Sequence, residues 1–96
     1  MTFEWHYNAM DWLLASSIEP GEVLSVLQGA RRRWPRPTYA PGIGRLVTIW
    51  GVTPTGRGLI IVTRPLGGFD QEIVAARVMT AAELREFHAW EESGDE

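Results

Sequence analysis

Seven arginines, Arg31, Arg32, Arg33, Arg36, Arg45, Arg57 and Arg64, fall in a stretch from Arg31 to Phe69 that holds no aspartate or glutamate. A guanidinium keeps its proton at working pH and presents a planar fork of donors, so this stretch is suited to holding anions and not to moving protons. Its first part, Arg31-Arg32-Arg33-Trp34-Pro35-Arg36-Pro37-Thr38-Tyr39, interleaves cations with two aromatic rings. That is the composition of a groove that tracks phosphates and stacks bases. The candidate RNA-binding residues are therefore Arg31, Arg32, Arg33, Trp34, Arg36, Tyr39 and Arg45. The competing reading is a solvated loop whose Trp34 merely covers the core.

Groups able to shuttle a proton are few. His6 and His88 are the two histidines, the side-chain type suited to proton transfer near neutrality. Both also fit plain boundary positions. Tyr39, Thr80 and Glu83 are the remaining candidates, although Thr80-Ala81-Ala82-Glu83 also has the spacing of a capping box, in which hydroxyl and carboxylate satisfy each other's free backbone donors. Cysteine is absent, which removes thiolate chemistry and disulfides. No glycine fingerprint for nucleotides, no nucleophile elbow and no metal-ligand spacing occurs, so no metal and no cofactor is expected. Gly42, Gly44, Gly67 and Gly68 are spaced as turn residues.

The elements that must position these groups follow from pattern. Thr2 to Trp5 suits a short edge strand. Asn8 to Ser16 places Met10, Leu13 and Leu14 on one helical face behind an Asn8 cap. Ile18-Glu19-Pro20-Gly21-Glu22-Val23 opens a second helix, with Pro20 first and Glu22 third, which Gly29 ends. The prolines and glycines between Ala30 and Gly44 allow only edge strand or loop. Arg45–Val52, a turn at Thr53-Pro54-Thr55-Gly56, and Leu59–Arg64 form a hairpin. Glu72 to Met79 is a third strand, with Arg77 expected on the face of Ile73, Ala75 and Met79. A last helix shows Leu84, Phe87 and His88, with Trp90 at its margin.

One α+β domain over residues 1–92 is expected, with 93–96 as a frayed acidic tail. A chain this short buries only about 60 to 65% of its unfolded surface. The start lacks the pattern of a secretory leader, and the longest apolar run, Leu59 to Val62, is too short to span a bilayer. A cytoplasmic location without membrane contact is expected. Net charge is −3 and six of the twelve acids follow Ala82; the acidic end, Glu91, Glu92, Asp95 and Glu96, either solubilises the chain or folds back on the basic run.

The blocks Phe3-Glu4-Trp5, Ile18-Glu19-Pro20-Gly21-Glu22, Gly56-Arg57-Gly58-Leu59-Ile60-Ile61-Val62 and Ile73-Val74-Ala75-Ala76-Arg77-Val78-Met79-Thr80-Ala81-Ala82-Glu83 resemble the BrnT family of bacterial toxins. The resemblance runs from Phe3 to about Trp90. It implies a RelE-like fold, with two N-terminal helices packed on a mainly antiparallel sheet of three to five strands and a C-terminal helix. It also implies a metal-free endoribonuclease, and a cognate antitoxin encoded by an adjacent gene with which a hetero-oligomer forms. In that chemistry the ribose 2'-hydroxyl attacks the adjacent phosphate, which needs a base, an acid and cationic clamps. Arg77 matches the family's arginine and is the leading clamp, with Arg57 and Arg64 beside it; His6, Thr80 and Glu83 complete the catalytic candidates. The family's Lys-His pair is replaced here by Ala15-Ser16, so no base is inherited, and the alternative is an inactive RNA-binding or antitoxin-binding module. Arg77 also has ordinary partners in reach, Glu72 or Glu83, and Arg57 and Arg64 fit rim positions.

Overall fold

The computed structural model describes residues 3–6, 13, 17–29, 31–68 and 70–93. Seven elements follow in order: β1 (Phe3–Trp5), α1 (Pro20–Gln28), β2 (Trp34–Ala40), β3 (Gly44–Val52), β4 (Gly58–Gly67), β5 (Asp70–Val78) and α2 (Ala81–Ser93). The strands make one sheet in the order β1-β5-β4-β3-β2. β1 runs parallel to β5, and the other pairs are antiparallel. The sheet is therefore mixed.

Local chemistry explains most boundaries. Pro20 opens α1, where its missing N–H costs nothing, and the Glu19 N–H donates to Glu22 Oε1 at 3.0 Å. β2 contains Pro35 and Pro37, which an edge strand tolerates because alternate positions keep the ladder. Its turn into β3 uses Gly42 and Gly44 at φ 81° and 102°, in the left-handed region that glycine enters at no steric cost.

Both faces of the sheet are apolar. Ile49, Leu59, Ile61, Ile73 and Ala76 pack with Val23, Val26 and Leu27 of α1, together with Leu13 and Ile18. Trp50, Val52 and Ile60 pack with Met79 and with Phe87 of α2, bordered by Trp34, Leu84 and Trp90. Alternation along β4 sends Leu59 and Ile61 to one layer and Ile60 to the other.

This arrangement corrects the expected RelE-like fold with two N-terminal helices on the sheet. Among the described residues there are two helices, one mid-chain and one C-terminal, lying on opposite faces of a five-stranded mixed sheet. The Asn8–Ser16 helix lies outside the described residues apart from Leu13, which is 1% exposed. The physical reason is that Leu59 to Val62 is a strand interior apolar on both sides, so each face needs its own cover. Among the described residues no helix is long and apolar enough to cross a membrane.

A second correction concerns register. Val62 pairs with Ala75 but Thr63 pairs with Ile73, leaving Val74 as a bulge. One extra residue reverses the alternation beyond it. Arg77, opposite Ile60, and Ala75, opposite Val62, thus face α2, whereas Ile73 joins the core on the α1 side.

Gly51 marks where α1 seats most closely, since a Cβ there would meet Val26 Cγ1 at 2.4 Å. Val26 is buried and β-branched, with little rotamer freedom to yield. Gly51→Ala is therefore expected to cost about 1–3 kcal/mol by overpacking, lowering the melting temperature by roughly 5–20 °C. An unchanged melting temperature would show that α1 does not sit on β3 in this way.

Candidate anion-binding face

Cross-strand register aligns Trp34, Trp50, Ile60 and Arg77 in a row across β2, β3, β4 and β5. α2 lies over this row and is held through long side chains more than by close backbone approach. Trp34 meets Trp50 edge-on at 5.6 Å between centroids and 62° between planes. Trp34 also stacks on Trp90 of α2 at 5.1 Å and 5°. Cations cover these rings: the Arg32 guanidinium lies 4.2 Å from the Trp90 centroid, and that of Arg36 lies 4.4 Å from Trp34 and 4.9 Å from Trp50. Arg32, Arg33, Trp34, Pro35 and Trp90 line an open concavity of about 460 Å³. A smaller one of about 200 Å³ adjoins it along Arg36, Thr38, Thr48 and Trp50.

The arginines of this face are met by the acids of α2. Arg31 forms a two-pronged pair with Glu91, Nε to Oε2 and Nη2 to Oε1, both 2.8 Å. Arg32 Nη1 donates to the Glu91 carbonyl at 2.9 Å, and Arg36 Nη1 to Glu86 Oε2 at 2.9 Å. The hydrogen bonds from Arg31 hold the Glu91 carboxyl below its ordinary range. Arg33 is exposed at the rim of the concavity, with its Cβ on the α1 side of the sheet beside Gly51. Of the acidic end, Glu91 meets Arg31 from within α2; Asp95 and Glu96 lie outside the described residues.

Arg77, Thr80 and Glu83 come together at the other end of the row. Arg77 Nη1 and Nη2 donate to the two Glu83 oxygens, both at 2.6 Å. The capping box is formed, with Thr80 N–H to Glu83 Oε1 at 2.9 Å and Glu83 N–H to Thr80 Oγ1 at 3.2 Å. The Arg77 bonds, then the Thr80 backbone bond, pull the Glu83 carboxyl from 4.5 down to about 2. Such a carboxylate accepts a proton poorly near neutrality.

The remaining candidates lie elsewhere. Arg57 Nη1 donates to Glu22 Oε1 and to the Ser17 carbonyl, each at 3.0 Å, tying the hairpin turn to the start of α1. It therefore serves the opposite layer from Arg77. Arg64 pairs with Glu72, four residues along β4 from Ile60 and so roughly 13 Å away at the strand rise. His6 extends the β1–β5 pairing through its backbone N–H, which donates to the Ile73 carbonyl at 2.9 Å. Strand parity also divides the aromatic run: Tyr39, 69% exposed, pairs with Arg45 on the face opposite Trp34 and Arg36. His88 sits half exposed with Nδ1 3.6 Å from Glu91 Oε1.

Trp50, Trp90, Glu86 and Glu91 belong to the face although composition pointed to none of them as site residues. A signal was present: the acids at 83, 86 and 91 flank the apolar 84, 87 and 90 at helical spacing. Among the described residues, no group of three or more His, Asp or Glu side chains is placed to hold a metal ion.

The depressed Glu83 carboxyl carries a pH consequence. Its folded value lies below the unfolded one, so the stability it contributes is complete above about pH 4.5 and disappears as pH falls toward 2. Glu83→Gln is expected to flatten the denaturation midpoint against pH across that window relative to the parent. Parallel profiles would mean that the Arg77–Glu83 pair does not persist in solution. No family model and no curated protein matches this chain.

Proposed function

We propose that the protein is a single-stranded RNA-binding module whose contact surface is the arginine and tryptophan face between β2 and α2. The observation that carries this reading is the unbroken series in which Arg32 lies over Trp90, Trp90 stacks on Trp34, and Arg36 lies over Trp34. Indole faces accept any unstacked base, and guanidinium forks suit phosphates. Arg33 adds an exposed cation at the mouth of the concavity. The preference for RNA over other polyanions rests on the BrnT resemblance.

A second reading, the growth-arresting endoribonuclease toxin with an antitoxin partner, is favoured by one specific observation. Arg77, Thr80 and Glu83, which the resemblance singles out, meet at the end of the same row. Against it stands the commitment of Glu83 to Arg77, which makes that carboxylate a poor proton acceptor near neutrality. The antitoxin would be a partner able to compete for the same arginines.

Labelled single-stranded RNA separates the readings. Trp34→Ala is expected to weaken binding at least about tenfold, matching the roughly 1–3 kcal/mol of one stacked base. Arg33→Ala, on an exposed side chain that leaves the core alone, is expected to reduce the slope of log affinity against log salt by about 1. Binding that ignores salt would overturn phosphate contact as the main term. RNA that stays intact favours the module, whereas cut RNA that becomes uncut with Arg77→Ala favours the toxin.

A further inference from the structure

We infer that the C-terminal half of α2 is an internal anion that occupies the binding face and must leave it when RNA docks. This rests on the reading of that face as an RNA site. Three observations carry it. First, Glu86 lies at mid-helix, whereas Glu91 and Glu92 lie in the last turn of α2, which holds no basic residue. Carboxylates at this end face the negative pole of the helix, which disfavours them. The compensating cations come from outside the helix: Arg36 to Glu86, Arg31 to the Glu91 carboxylate, and Arg32 to the Glu91 carbonyl. The end of α2 is thus stabilised by the same arginines that a phosphate would take.

Second, Trp90 occupies the stacking position on Trp34 that a nucleobase would need. Third, the anchorage of α2 is uneven. Its first turns have the capping box, the Arg77–Glu83 pair and the fully buried Phe87. Beyond Phe87 the half-buried Trp90, stacked on Trp34 and covered by Arg32, and the arginine pairs hold it. Exposed ion pairs are individually weak and exchange readily, so ligand phosphates can replace Glu86 and Glu91 one for one. The backbone at Ala81 to Phe87 stays seated, Glu86 releasing Arg36 by its side chain alone, while the rest lifts.

The test uses the whole chain and a decamer of uridine. Hydrogen exchange of amides 89–93 is expected to accelerate at saturating oligonucleotide, with amides 84–87 unchanged. Glu86→Gln with Glu91→Gln, which keeps good helix formers in place, is expected to bind the decamer about tenfold more tightly, as removal of two weak competing pairs allows. If the decamer binds but amides 89–93 keep their protection, or if the double variant binds no tighter, the displacement is overturned and the RNA reading survives. If neither protein binds the decamer, both fall together.

Discussion

The apolar run in β4 governs the architecture. Leu59 and Ile61 point into one layer and Ile60 into the other, and all three are essentially removed from solvent. Burying an aliphatic side chain of this size is worth about 1.5–3 kcal/mol, so neither face of the sheet can be left to water. α1 answers for one face with Val23, Val26 and Leu27. The other face carries Trp34 and Trp50 out to the edge strand, and a helix covering it needs long side chains. Phe87, Leu84 and Trp90 meet that need, which sets α2 across the row and brings its acids beside the arginines.

Charge pairing is a consequence of that placement. The acid-free stretch contains no local partners, so Arg31 and Arg36 find theirs 60 and 50 residues away in α2. Pairs as exposed as these contribute only about 0.2–1 kcal/mol each. They orient the helix without fixing it, and apolar contact at Phe87 supplies the firmer hold. Arg57 differs, because Glu22 serves it and the start of α1 together, coupling a hairpin turn to a helix cap. Removing Arg57 would loosen two elements on the side of the molecule away from Trp34, Trp50 and Trp90.

What could be read from the sequence was local. Pro20 and Glu22 place the start of α1, Thr80 and Glu83 the start of α2, and the turn at residues 53–56 the central hairpin, because each depends on neighbours a few positions apart. What escaped was set by distant contacts. Leu59–Val62 revealed its two-sided burial only once both helices were in place. The bulge at Val74 lacks a glycine to announce it, yet it moves Ile73 to the other face. Trp34 and Tyr39 look like one aromatic groove until residues 34–40 are a strand, when odd and even positions part. Arg77 had Glu83 as one possible partner on spacing; that it binds both carboxylate oxygens follows from the capping box, which fixes the carboxylate beside the end of β5.

The two ends of the α2 row obey the same rule. At one end Glu91 and Glu86 occupy Arg31 and Arg36; at the other Glu83 occupies Arg77. In each case a carboxylate stands where a phosphate of similar charge and fork geometry would fit. The difference lies in what the carboxylate loses on release. Glu86 and Glu91 would return to water, the latter from the last turn of the helix, whereas Glu83 would keep its Thr80 backbone bond and lose the guanidinium that does most to depress its pKa. A phosphate seated on Arg77 would therefore raise the proton affinity of Glu83 as it arrived.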